Sequence, residues 1–193
     1  MLWANVANAV ITGTITSPAG GEMWAGGSVH SIIWETSGGV GTHNVEVWLS
    51  TDGGTNYNNS VGNCTHAPTG GSYSWTLPII DSTNCKIRVS GTDSEATPFT
   101  ITNSVAFTID STPPPAPTGL TADGQNSYGR SEWKNTPDFS INWTNPTDDS
   151  GIKGAWYGPR WPPIFADTGT KPFTVTAVSQ YSFNVYMYLE DNA

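Results

Sequence analysis

Phe183-Asn184-Val185-Tyr186-Met187-Tyr188-Leu189-Glu190 alternates without a break. Phe183, Val185, Met187 and Leu189 fall on one side, and Asn184, Tyr186, Tyr188 and Glu190 on the other. A period of two over eight residues predicts an antiparallel strand with one face in a core and one toward water. The same period appears upstream in Val45-Glu46-Val47-Trp48-Leu49, where Val45, Val47 and Leu49 share a face and Glu46 points away. Asp52-Gly53-Gly54 follows it as a tight hairpin signal.

Working outward, further short β-type runs are separated by turn residues. In residues 11–110 they cover Ile11–Thr16, Val29–Glu35, Ser72–Leu77, Lys86–Ser90 and Val105–Ile109, with a weaker strand between Asn56 and Gly62. In residues 118–193 they cover Thr118–Ala122, Phe139–Trp143, Gly154–Tyr157 and Phe173–Ala177. Between the two sets lies Ser111-Thr-Pro-Pro-Pro-Ala-Pro117, a stiff extended linker. No stretch carries the i, i+3, i+4, i+7 pattern of an amphipathic helix. The expected fold is therefore all-β: two sandwiches, at 11–110 and 118–193, joined by residues 111–117 and preceded by an N-terminal extension at 1–10.

Composition agrees. Only 12% of the residues are charged, and 21 Gly and 14 Pro punctuate the chain. The net charge of −9 comes with no basic patch, which argues against nucleic-acid partners, because phosphate contacts need clustered Lys and Arg. No apolar run approaches the ~20 residues of a membrane span, so no membrane insertion is expected. Met1–Val10 ends in Ala7-Asn8-Ala9, like a signal-peptidase site, but lacks a basic start and a long apolar stretch. Cys64 and Cys85 read as one disulfide, hence an oxidising, extracellular or cell-surface compartment; the other reading is two buried thiols. Asn58, Asn63 and Asn142 head N-glycosylation sequons.

Ile15-Thr-Ser-Pro-Ala-Gly-Gly-Glu-Met-Trp24, Ile33-Trp-Glu-Thr-Ser, Leu49-Ser-Thr-Asp-Gly-Gly, Gly71-Ser-Tyr-Ser-Trp-Thr-Leu-Pro and Cys85-Lys-Ile-Arg-Val-Ser resemble the immunoglobulin-like repeat of secreted microbial surface proteins, akin to the Ser/Thr-rich Kre9/Knh1-type domain. Pro115-Ala-Pro-Thr-Gly-Leu, Ile141-Asn-Trp-Thr-Asn-Pro and Leu189-Glu-Asp-Asn-Ala resemble fibronectin-III-like or bacterial immunoglobulin-like repeats. These resemblances imply spacers, adhesive stalks or accessory parts of secreted hydrolases, with no catalytic set to transfer.

Against that family pattern the second module lacks a final strand, because residues 183–190 read as the penultimate one. The first module is preceded by a segment it does not need, Leu2-Trp-Ala-Asn-Val-Ala-Asn-Ala-Val10, in which Leu2, Ala4 and Val6 share a face. This segment of one copy is a candidate assembly strand for the edge formed by Phe183, Val185, Met187 and Leu189 in another, giving head-to-tail self-association. The alternative is a piece of a longer array whose last strand lies beyond Ala193.

No motif requires a cofactor. His30, His43 and His66 fall in no metal-binding spacing, and no Gly-x-Ser-x-Gly frames a nucleophile, so no catalytic residue is assigned. Asp110, Asp148, Asp149 and Asp191 are candidate calcium ligands, the other reading being solvated turn residues. Trp156, Tyr157 and Trp161 are candidates for stacking on sugars, which makes glycans or other surface proteins the alternative partners, for an accessory module of a secreted enzyme or adhesin.

Overall fold

The computed structural model describes residues 10–122, 125–126, 138–158, 164–167, 173–176 and 186–193, with side chains over 10–121, 140–157 and 187–193. Every regular element among them is a strand, so no helix there is long and apolar enough to cross a membrane. The chain divides into two compact units between Ser111 and Thr112.

The first unit contains β1 (Thr12–Ser17), β2 (Met23–Ala25), β3 (Val29–Ser37), β4 (His43–Ser50), β5 (Asn59–His66), β6 (Gly70–Thr76), β7 (Ser82–Thr92), β8 (Pro98–Thr102) and β9 (Phe107–Asp110). One sheet runs β1-β3-β6; the other runs β2-β9-β7-β4-β5, with β8 also paired to β7. Alternation decides which face each strand buries. In β4, Val45, Val47 and Leu49 are buried while Asn44 and Glu46 are exposed; in β3, Ile32 and Trp34 are buried between exposed Ser31, Ile33 and Glu35. With Trp75, Leu77, Ile87, Val89, Phe99, Phe107 and Ile109 they form one core between the sheets. Each such side chain contributes about 1.5–3 kcal/mol by leaving water.

The turn expected at Asp52-Gly53-Gly54 lies inside a longer loop joining β4 to β5. Asp52 organises it: its carboxylate accepts the Asn56 amide at 2.9 Å, the Asn56 side-chain amide at 2.7 Å and the Ser50 hydroxyl at 2.7 Å. Those bonds, the Asn56 amide first, hold the Asp52 carboxyl down to about 2. The β4–β5 ladder shifts register between Val47 and Trp48 of β4, and Gly62 of β5 sits at the shift. A Cβ there would lie 2.1 Å from the Tyr73 hydroxyl, so glycine leaves room for the Tyr73 ring.

The second unit contains β10 (Thr118–Ala122), β11 (Gln125–Asn126), β12 (Asp138–Thr144), β13 (Ile152–Gly158), β14 (Ile164–Asp167), β15 (Phe173–Thr176) and β16 (Tyr186–Asp191). Its sheets run β11-β10-β12-β15 and β14-β13-β16. Ile141, Trp143, Ala155 and Leu189 form the core, with Leu120, Ile152, Tyr157 and Met187 against it.

Both units share one topology. Leaving aside short β2 and β11, the first, second and fifth strands make one sheet, β1-β3-β6 and β10-β12-β15. The third, fourth and sixth make the core of the other, β5-β4-β7 and β14-β13-β16. The units differ at the sixth strand. In the first unit β7 has β4 on one side and β8 with β9 on the other. In the second, β16 has β13 on one side, and no strand among the described residues pairs with its other edge.

Candidate functional site

The edge of β16 that no described strand fills is the candidate site this topology offers. β16 pairs antiparallel with β13 through Gly154↔Glu190, Ala155↔Leu189, Trp156↔Tyr188 and Tyr157↔Met187. Met187 and Leu189 point into the core, as their alternation predicts, and Tyr188 points out, 49% exposed. The strand is anchored at its far end. The Asn192 amide donates to the Gly151 carbonyl at 3.1 Å, and its side-chain amide donates to the Ser150 carbonyl at 2.9 Å. A fixed strand whose second ladder no described strand fills is a template for a further strand. The remaining acceptor residues, Phe183 and Val185, and the assembly residues Leu2, Ala4 and Val6 lie outside the described residues.

The outward face of the same strands carries a second feature. The Trp156 and Tyr188 rings lie 6.3 Å apart between centroids and within 14° of parallel. The Trp156 indole N–H donates to one oxygen of Glu190, and the Lys153 ammonium pairs with the other. These contacts hold the Glu190 carboxyl below the usual glutamate range, with the Lys153 hydrogen bond the larger cause. Tyr157 does not join this face. Neighbours on a strand point to opposite sides, and Tyr157 packs against the core instead. Trp161 lies outside the described residues. Tyr188 and Glu190 were not among the sequence-derived stacking residues, although the alternation of 183–190 already placed them on one face.

Among the acidic residues, the carboxylates of Asp148 and Asp191 come within 4.8 Å of each other in the second unit. Asp148 also shapes its own loop, accepting the Ser150 amide at 3.2 Å and the Ser150 hydroxyl at 3.0 Å, an Asx-type turn. Asp149 is exposed on that loop, and Asp110 ends β9 in the first unit.

The expected disulfide is absent: Cys64 and Cys85 are free thiols. Register explains it. Cys64 on β5 faces Val45 of β4, whereas Ser50 of β4 faces Lys86, so Cys85 lies beyond the opposite end of β4. Two ladder spacings across and six residues along put them roughly 10 Å by 20 Å apart. A disulfide needs Cα atoms within about 7 Å. The three sequon asparagines, Asn58, Asn63 and Asn142, are all exposed.

The histidines form contacts the sequence did not reveal. His30 stacks on Trp24 at 4.1 Å. His43 is fully buried, edge-on to His66 at 5.1 Å and beside Phe99 at 5.2 Å. The Trp34 indole N–H donates to His66 Nε2 at 3.1 Å.

Two facing sheets in each unit, filled by the alternate residues of their strands, define a chain of immunoglobulin- and fibronectin-III-like β-sandwiches. No protein-family model and no curated protein matches it. Solved structures similar to it include the fibronectin(III)-like modules of Clostridium thermocellum CbhA, at 16% identity over 51% of this chain and 98% of that one, with a TM-score of 0.34. The chicken CNTN1 FN1–FN3 domains are similar at 12% identity over 90% of this chain and 58% of that one, with a TM-score of 0.30.

Proposed function

We propose that the chain is a non-catalytic structural subunit of an extracellular or cell-surface assembly, built head to tail by strand addition at β16. The observation that carries this reading is the contrast between the two sixth strands. β7 is filled on both sides, while β16 has an unfilled edge among the described residues. The occupant proposed is residues 2–10 of a second copy, in which Leu2, Ala4 and Val6 alternate as a strand on a sandwich edge requires. A contact between unlike surfaces that does not close propagates as a filament. Calcium at Asp148 and Asp191 is the one ion the proposal admits.

The test is deletion of residues 2–10. The full chain is expected to elute earlier from size exclusion as concentration rises and to form filaments visible by electron microscopy. The deletion is expected to stay monomeric with an unchanged melt. Assembly that survives the deletion rules out the donor strand.

A second reading, an accessory glycan- or protein-binding module of a secreted enzyme or adhesin, is favoured by the parallel Trp156 and Tyr188 rings. A monomer at every concentration supports it over assembly.

A further inference from the structure

We propose that the outward face of β7 binds the carboxylate of an acidic sugar carried on an otherwise neutral glycan, with Arg88 as its receptor and Lys86 beside it. The proposal gives a ligand class to the binding-module reading, on which it rests, and owes nothing to the β16 edge.

Three observations carry it. First, the cations of the first unit are gathered at one place. Lys86 and Arg88 are the only Lys or Arg residues in 1–110, against eight Asp and Glu. They stand two residues apart on β7, hence on one face and roughly 7 Å from each other along the strand. Cys85, Ile87 and Val89 alternate with them and fill the core, so this face is the outward one. Second, the guanidinium is held in place but not satisfied. It lies over the Tyr57 ring, 4.5 Å from its centroid, and 6.0 Å from that of Trp48, the ladder partner of Arg88 on β4. Tyr57 is carried there by the loop that Asp52 ties together, in which Gly54 lies close to both the Tyr57 hydroxyl and the Lys86 stem. Arg88 Nε is buried without a partner among the described residues. The terminal nitrogens are not shut in this way, and no described residue accepts a hydrogen bond from them or pairs with their charge. They face solvent as a preformed fork, the geometry that grips a carboxylate through two parallel hydrogen bonds. A guanidinium already fixed by ring contacts loses little freedom on binding. Lys86 Nζ donates one hydrogen bond, to the Ser104 carbonyl at 3.0 Å, and keeps further N–H donors. Third, the surroundings suit a sugar. At Arg88, β7 is paired with β4 on one side and β8 on the other, so no backbone edge is open there to an extended peptide. Recognition falls to side chains. Across the two ladders from Arg88 stand half-buried Trp48 and exposed Thr102, and Ser90 faces Thr100 next on the same side. An aromatic ring and hydroxyls are the groups that a sugar's C–H face and its own hydroxyls engage.

Charge narrows the class. Glu46 is exposed on the same face of β4, two residues before Trp48, and pairs with neither cation. A polymer with an acid on every sugar would meet Glu46 and the other carboxylates of the unit. A single acidic sugar among neutral ones brings its one charge to the two cations.

The experiment is biolayer interferometry of the full chain against glucuronoxylan and gum arabic, each native and carboxyl-reduced, with a polyglutamate peptide beside them. Binding to at least one native polymer is expected, weaker as salt rises and lost on carboxyl reduction, with little binding to polyglutamate. Arg88→Gln is expected to weaken it about tenfold or more, the loss that follows removal of a charged hydrogen-bond pair. Should Arg88→Gln fail to fold without its ring contacts, Thr102→Glu leaves the guanidinium in place, sets a competing carboxylate opposite it, and is expected to weaken binding equally. Binding to neither native polymer overturns the proposal. So does binding that survives carboxyl reduction, binding that both variants leave intact, or equal binding to polyglutamate. The binding-module reading is tested apart from this, by the oligomeric state of the same chain: a monomer that binds neither polymer keeps that reading and loses this site.

Discussion

Asn103 accepts the Ile87 amide through its side-chain oxygen at 2.7 Å, and its own amide donates back to the Ile87 carbonyl at 3.3 Å. This exchange lies where the strand beside β7 breaks. β8 pairs with Arg88–Thr92 and β9 with Ser82–Cys85, and Asn103 bonds Ile87 between them. The Asn103 side-chain amide also donates to the Val105 carbonyl at 2.5 Å, shaping the step from β8 to β9. A side chain thus replaces a ladder rung and keeps the second edge of β7 closed.

Asn103→Ala leaves the buried Ile87 amide without its acceptor. The expected loss is about 1–3 kcal/mol. It should appear as a lower urea midpoint with an unchanged slope. Asn103→Asp retains the acceptor for Ile87 but turns a buried carboxylate oxygen toward the Val105 carbonyl, and is expected to lose at least as much. Equal stability of Asn103→Ala and the parent chain would show that the amide finds another partner.

The thiols give a redox prediction. Cys85 is fully buried and Cys64 partly buried, and burial pushes both thiols above the ordinary cysteine range. A high pKa keeps the reactive thiolate scarce. Native protein is expected to react slowly with a thiol reagent and denatured protein to yield two thiols. Reductant is expected to leave the melting temperature unchanged. Faster migration on a non-reducing gel, together with a lower melt in reductant, would restore the disulfide.

His43 makes the first unit sensitive to acid. Its ring is fully buried, and neither nitrogen has a hydrogen-bond partner among the described residues. Burial first, and the neighbouring His66 second, hold its pKa below the ordinary 6.5, while Asp93 opposes them. Below that value the unfolded chain takes up a proton that the native chain refuses. Stability is therefore fully present above about pH 6.5 and falls as pH drops toward the native value, by at most about 1.4 kcal/mol per pH unit for one group. His30, also lowered by burial, adds in the same direction. Urea melts between pH 7.5 and 5 should show this slope, and His43→Phe should flatten it. An unchanged slope in that variant assigns the acid sensitivity elsewhere.

The period-two pattern made the sandwich strands legible, because burial of every second residue is written directly in Val45–Leu49. Elements that depend on long-range pairing were not. β2 is three residues held by parallel pairing to β9, and β8 opens on Pro98, tolerable because β8 pairs on one side only. β14 follows the proline-rich stretch around Trp161 and carries no run long enough to show a period. The cysteine error has the same origin: separation along the chain says nothing about register across β4. Trp156 and Tyr157 looked like one cluster because adjacency in sequence is opposition on a strand.

Calcium is expected to raise the melting temperature if the Asp148 and Asp191 carboxylates, within 4.8 Å, share an ion. Calcium needs 6–8 oxygens, which backbone carbonyls and water must complete. Asp191→Asn is the cleaner variant, because Asp148 also holds the Ser150 turn. The increment should vanish in that variant and in chelator. Identical melts in calcium and in chelator remove the ion from the reading.

The β16 edge can also be tested without altering the chain. A synthetic peptide of residues 1–11 carries the Leu2, Ala4, Val6 alternation but no sandwich behind it. If strand addition drives assembly, this peptide occupies the open edge and terminates growth. Filament length should then fall as peptide is added, and size exclusion should return toward the monomer. A scrambled peptide of identical composition controls for general apolar binding, because it presents its apolar residues out of register with Met187 and Leu189. It should leave assembly intact. Equal inhibition by both peptides indicates non-specific binding, and no inhibition by either indicates that copies meet through another surface.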